Sequence, residues 1–145
     1  MPSQVLLDTG PLVAFVNRRD RHHAWTKQTW NQVDNPLLTC EAVITEACFL
    51  LQSTYSGYEI VLSMIEDGIV QVPFQLNQNV SRVKDLLTRY QSVPMSLADA
   101  CLVRMAELYA ECSVMTLDSD FNIYRQNRDR PIAMVMPAFL GSSEY

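Results

Sequence analysis

Four acidic residues stand where a chain of alternating strands and helices would bring carboxylates together. Asp8 directly follows the apolar run Val5-Leu6-Leu7, Glu46 sits within an apolar helical stretch, Asp99 falls in the first turn of a helix, and Asp118 directly follows Val114-Met115-Thr116-Leu117. Two negative charges held about 4 Å apart repel by roughly 4 kcal/mol at an effective dielectric near 20. A fold gains by gathering such groups only around a strong positive charge, and a divalent cation supplies it. The chemistry this points to is metal-assisted hydrolysis, and the pattern suggests a nuclease site.

Each acid also has a structural reading. Asp8 precedes Thr9-Gly10-Pro11, where a strand ends and a helix with proline in its first turn begins. It suits a helix cap as well as a ligand at the carboxyl end of a parallel sheet. Glu46 has Ala42, Val43, Phe49 and Leu50 three and four residues away. An unpaired carboxylate on a buried apolar stripe is expensive, so Glu46 should meet a cation, a partner side chain or water in a cleft, with a buried ion pair to one of the arginines as the structural alternative. Ser96-Leu97-Ala98-Asp99 has capping-box spacing, which makes Asp99 a cap as readily as a ligand. Asp118 follows its strand directly and reads as the ligand of its pair. Asp120 is an additional acid or the cap of a short helix from Phe121 to Arg125.

Thr9 and Thr116 are placed to hydrogen-bond and orient the ligand carboxylates. Oxygen-only ligands select hard cations, so Mg²⁺ or Mn²⁺ fits better than zinc. The adjacent His22 and His23 would point in different directions on a helix and read as solvated or as substrate contacts. Beside them Arg18, Arg19 and Arg21 are candidate phosphate contacts, with a solvated charge run as the alternative. Trp25, Trp30, Tyr109 and the methionines read as packing residues.

The elements that must position these residues follow from periodicity. Short apolar runs at 5–7, 37–39, 69–72, 114–117 and 132–135 are strand candidates, and they alternate with helix-periodic segments at 11–17, 22–33, 42–52, 58–66, 76–90 and 97–111. Such βα alternation predicts a parallel sheet covered by helices. No repeat or long polar linker interrupts the pattern, so residues 1–138 are expected to form one unit, with 139–145 a loose tail of no chemistry.

Bulk properties narrow the field. With 145 residues, 48% hydrophobic and 19% charged, the chain can bury a genuine core. No apolar stretch reaches membrane-spanning length and Met1-Pro2-Ser3-Gln4 lacks the features of a secretory signal, so a cytoplasmic location is expected. Cys40, Cys48, Cys101 and Cys112 contain no Cys-x-x-Cys pair and read as buried reduced thiols. A net charge of -5 argues against coating nucleic acid electrostatically. It leaves a nuclease open, because several of those charges would belong to the metal site and the basic residues cluster locally, at 18–21, 82–89 and 125–130.

Val5-Leu6-Leu7-Asp8-Thr9-Gly10-Pro11-Leu12-Val13, Val43-Ile44-Thr45-Glu46-Ala47-Cys48-Phe49-Leu50-Leu51, Ser96-Leu97-Ala98-Asp99-Ala100 and Thr116-Leu117-Asp118-Ser119-Asp120-Phe121 together resemble the PIN-domain family, in the right order and spacing over nearly the whole chain. The resemblance implies a three-layer α/β/α fold around a parallel sheet of about five strands. It also implies a Mg²⁺- or Mn²⁺-dependent endoribonuclease like the VapC-type toxins of bacterial toxin–antitoxin pairs, leaving a 5′-phosphate and a 3′-hydroxyl. An RNA substrate, a homodimer and a small antitoxin partner come with it. Carried over by position, the catalytic acids would be Asp8, Glu46, Asp99, Asp118 and Asp120, with Asp8, Asp99 and Asp118 on the metal.

Two rival motifs fail on the residues. Leu7-Asp8-Thr9-Gly10 resembles the Asp-Thr-Gly of aspartic proteases, but that chemistry needs an all-β chain. A haloacid dehalogenase-like phosphatase would want a second aspartate where Gly10 stands. Two alternatives keep more of the pattern: a DNA-acting, structure-specific nuclease of related architecture, and a non-catalytic module in which the acids only cap and pair. The compact acidic chain favours RNA over structured DNA.

Overall fold

The computed structural model describes residues 4–141. Val5, Leu6 and Leu7 are too short an apolar run for a helix and too apolar for a surface strand. They form the buried part of β1 (Gln4–Leu7), the middle strand of the sheet. The chain continues through α1 (Thr9–Val16), α2 (His23–Trp30), β2 (Leu37–Leu38), α3 (Glu41–Leu50), α4 (Gly57–Glu66) and β3 (Val70–Gln71). After a 3-10 turn at Leu76–Gln78 come α5 (Val80–Arg89), α6 (Leu97–Leu108) and β4 (Cys112–Met115). A second 3-10 turn at Ser119–Asn122 leads to β5 (Arg125–Gln126), β6 (Arg130–Pro131), β7 (Met134–Val135) and α7 (Ala138–Gly141).

Strand order is β3-β2-β1-β4-β7, parallel throughout, with helices on both faces, as the three-layer expectation required. From β1 the chain winds outward through β2 to β3, then crosses back so that β4 lies on the other side of β1. The order therefore reverses between β1 and β4. In open parallel sheets the crevice beyond the carboxyl ends at such a reversal is where ligands bind. Asp8 and Thr116 stand immediately past these two strands, and their backbones continue the ladder: Asp8 N–H donates to Met115 O at 3.1 Å and Thr116 N–H to Val135 O at 3.1 Å.

The core is one cluster around β1, β4 and α6, whose residues from Ala98 to Val103 are all buried. Trp30 is buried with its ring 4.2 Å from that of Phe15, and Trp25 is partly buried against the same core, so both tryptophans pack. The four cysteines are free thiols, Cys40 and Cys101 fully buried. On the flank, Glu107 of α6 takes two hydrogen bonds from Arg82 of α5 at 2.9 and 2.7 Å, one from Arg104 at 3.3 Å, and the Asn127 N–H at 2.6 Å. Burial opposes its charge, but these donors outweigh it and hold the carboxyl below its usual range.

Some boundaries differ from expectation. The helix expected over 76–90 is split into a turn and α5, and the short helix expected from Phe121 to Arg125 is a 3-10 turn ending at Asn122. The antiparallel hairpin of β5 and β6 is not anticipated, because Arg125-Gln126 and Arg130-Pro131 carry no apolar alternation. The tail expected from 139 begins inside α7. Residues 142–145, and residues 1–3 on which the reading of the chain's start leaned, lie outside the described residues. Among the described residues no helix is long and apolar enough to cross a membrane.

Candidate active site

Five acids from four separate segments line one cleft of about 420 Å³: Asp8 at the end of β1, Glu46 on α3, Asp99 in the first turn of α6, and Asp118 and Asp120 after β4. No lysine, arginine or histidine is among the lining residues.

Gly10 lets the first turn of α1 approach the loop after β4. A Cβ there would stand 3.3 Å from the Cβ of Leu117, tighter than ordinary packing. Asp8 is buried and caps α1, its Oδ1 accepting from Thr9 N–H at 2.7 Å, while Oδ2 accepts from the Thr116 hydroxyl at 2.7 Å. Burial pushes its carboxyl up to about 7 against those two bonds, and the charges of Asp99 and Asp118 push the same way. Thr116, fully buried, also accepts from Asp118 N–H at 2.9 Å, so one hydroxyl ties two acids together.

Asp99 completes a capping box with Ser96: its N–H donates to Ser96 Oγ at 3.0 Å, and its Oδ2 faces Ser96 N–H at 3.4 Å. Capping and lining the cleft are the same residue's two tasks. Burial raises its carboxyl as well. Asp118, rather than Asp120, caps the 3-10 turn, taking Asp120 N–H on Oδ1 at 2.9 Å. Asp120 is therefore a cleft-lining acid and not a helix cap, and burial and the neighbouring Asp118 raise it.

Glu46 departs from the buried-charge expectation. Val43 on the preceding turn is buried, but Phe49 and Leu50 are 66% and 58% exposed, so the stripe leaves the core along α3 and Glu46 stands at an open rim. It accepts from the Thr9 hydroxyl at 2.7 Å rather than from an arginine.

The arginines lie elsewhere. Arg18 and Arg19 follow α1, whose length of about 12 Å separates them from Thr9. There they line a larger cleft of about 670 Å³ with Val16, Tyr55 and Ile60, with no carboxylate side chain among the described residues that line it. Arg21 donates to the His22 ring at 3.2 Å, and the His23 ring bonds the Ala14 carbonyl at 2.7 Å, fastening α2 to α1. Arg82 is committed to Glu107, and Arg125 to the carbonyls of Asn122, Ile123 and Tyr124.

One residue of the site is absent from the sequence reading. Tyr124, fully buried, donates its hydroxyl to Asp99 Oδ2 at 2.9 Å. Burial and the charge of Asp99 raise the phenol above its ordinary value, so it stays a donor. The available signal was that a tyrosine buried beside Phe121 needs an acceptor for its hydroxyl.

The donor set suits a hard divalent cation. It offers only oxygen, and Asp99, Asp118 and Glu46 each have one carboxylate oxygen held by the protein and the other without a partner among the described residues. Among the described residues no three acidic, histidine or cysteine side chains are already gathered to ligand spacing. Mg²⁺ keeps several waters and needs only one or two carboxylates directly.

A family model described as PIN domain matches residues 5–126. Among solved structures, Mycobacterium tuberculosis VapC20, a sarcin-ricin-loop-cleaving toxin, aligns with a TM-score of 0.73 at 20% identity, covering 88% of this chain and 100% of that one. No curated protein sequence matches significantly. The likeness to that structure is one of fold.

Proposed function

The chain belongs to the PIN domain family, and from that premise we propose that it is a divalent-metal-dependent endoribonuclease, the toxin of a toxin–antitoxin pair. The observation that carries the reading is the cleft itself: five carboxylates at the reversal of strand order, with no basic side chain among the described residues that line it. Sharing its fold with a toxin that cleaves the sarcin-ricin loop supports RNA as the substrate over structured DNA.

Asp8, Asp99 and Asp118 would hold Mg²⁺ or Mn²⁺. When bound, the ion supplies the positive charge that polarises a phosphate oxygen and lowers the pKa of water. The chain's own residues do the rest. Thr9 N–H and the Thr116 hydroxyl fix both oxygens of Asp8, so that carboxylate is presented without a search over rotamers. Thr9 Oγ1 holds one oxygen of Glu46, leaving the other to accept a proton from an attacking water. Asp120 adds negative charge beside Asp118.

Arg18, Arg19 and Arg21 are proposed as contacts to RNA backbone beyond the scissile bond, since the length of α1 separates the first two from the acids. An antitoxin partner, a homodimer and a cytoplasmic setting belong to the same reading. Exposed apolar side chains on α3 and α4, Phe49, Leu50, Tyr58, Ile60 and Leu62, support protein partners.

The test is cleavage of an RNA pool with Mg²⁺ or Mn²⁺. The wild-type chain should cut, and Asp8→Asn, which removes a charge but little volume, should lower the rate about 100-fold or more with the fold intact. Cleavage unchanged by Asp8→Asn would refute the assignment.

A further inference from the structure

Tyr124 lies just past the turn that carries Asp118 and Asp120, and its backbone N–H donates to Asp120 O at 3.3 Å. Its hydroxyl reaches across to α6 and Asp99. It is thus a direct tie between two acid-bearing segments that are distant in the chain. The ring has little freedom: Tyr90 and Phe121 pack edge-on against it, each with centroids 5.1 Å away, at 67° and 81°. Tyr90 is itself held, its hydroxyl oxygen accepting from Arg125 N–H at 2.9 Å.

On Asp99, both protein donors fall on the same oxygen. Oδ2 takes the Tyr124 hydroxyl at 2.9 Å and the more distant Ser96 N–H at 3.4 Å, the Ser96 side chain also favours the ionised carboxyl, and no bond of comparable geometry falls on Oδ1 among the described residues. The capping interaction alone is long for a hydrogen bond, so the phenol is the stronger of the two restraints on the carboxylate's rotation.

Resting on the reading of Asp99 as a metal ligand, we propose that Tyr124 is a positioning residue of the metal site, holding Oδ2 so that Oδ1 is the oxygen presented to the cation. A tyrosine that merely filled the core would satisfy its hydroxyl on any carbonyl. This one spends it on a carboxylate of the cleft, in a ring clamped from two sides.

The experiment is titration of the full chain with Mn²⁺, followed by calorimetry or by the electron paramagnetic resonance of free Mn²⁺, with a melt of each metal-free protein alongside. Tyr124→Phe keeps the ring and removes only the donor, and should weaken Mn²⁺ binding about 10-fold. Tyr90→Phe loosens the same ring cluster without touching Asp99 and should leave the affinity unchanged. In an Asp99→Asn background, Tyr124→Phe should have no further effect, because the coupling runs through that carboxylate. Wild-type affinity in Tyr124→Phe, or equal losses in the Tyr124 and Tyr90 variants, would overturn the proposal while leaving the metal site standing. Absence of Mn²⁺ binding by the wild-type chain would overturn the metal-site reading and this proposal with it.

Discussion

The Thr116 hydroxyl donates to Asp8 at 2.7 Å, joining the ends of β1 and β4 across 108 residues of sequence. Both residues are buried, and the same hydroxyl accepts the N–H of Asp118. The side chain is therefore a hinge pin between two acids that repel.

Removing that hydroxyl while keeping the shape isolates its contribution. Thr116→Val leaves Asp8 Oδ2 without a donor and Asp118 N–H without an acceptor, each a buried or half-buried group stripped of its partner. A loss of about 1–3 kcal/mol in denaturant unfolding is expected, together with weaker Mn²⁺ binding. Unaltered stability and affinity would show that the bond is incidental.

Stability of the metal-free chain should fall as pH rises from about 4 to about 7. Asp8 has a folded pKa of about 7 against 3.8 when free, so the folded state holds its proton more tightly. That contribution is complete below 3.8 and lost as pH climbs through 7, and Asp99 acts with the same sign. Glu107, held below its usual range, works the opposite way and loses its contribution as the medium turns acid. Since a metal ligand must be ionised, Mn²⁺ should raise the melting temperature more at about pH 8 than at about pH 5. A melting temperature of the metal-free protein that climbs steadily from pH 5 to pH 8 would reject this ordering.

Glu46→Gln keeps an oxygen that can accept from Thr9 and removes only the charge. Because Glu46 stands at the exposed rim, the melting temperature should be unchanged while kcat falls about 100-fold. A variant with near wild-type turnover would exclude Glu46 from proton transfer.

Replacing Arg18 and Arg19 together by alanine should weaken RNA binding without altering cleavage chemistry. On single-stranded RNA each phosphate contact carries a log-log salt slope of about -0.7, so the double variant should flatten the slope by about 1.4. An unchanged slope would mean that their cleft serves something other than RNA.

Legibility of the fold followed how each signal is encoded. Asp8 was readable as a strand-end acid because an apolar run marks where a strand stops, and parallel sheets put ligands at that end; Asp118 instead stands three residues past Met115, the last residue of β4, because Thr116 and Leu117 continue the apolar run without continuing the strand. Asp99 showed its capping spacing with Ser96 but not its second partner, since Tyr124 lies between Ile123 and Arg125 with nothing in the sequence to link its hydroxyl to α6. The stripe around Glu46 misled because helical periodicity marks an apolar face without saying whether another element covers it, and Phe49 and Leu50 stay uncovered. The arginines after α1 were placed by composition alone, which carries no direction. Only the structure shows that the whole of α1, about 12 Å long, separates Arg18 and Arg19 from Thr9.

The central claim is that bound divalent metal relieves the repulsion among these acids. Calorimetric titration of the metal-free chain with Mn²⁺ at neutral pH, beside Asp8→Asn, Asp99→Asn and Asp118→Asn, tests it most directly. The account predicts saturable binding by the wild-type chain and a loss of at least about 10-fold in each variant. No binding by the wild-type chain, or undiminished binding in all three variants, would contradict it.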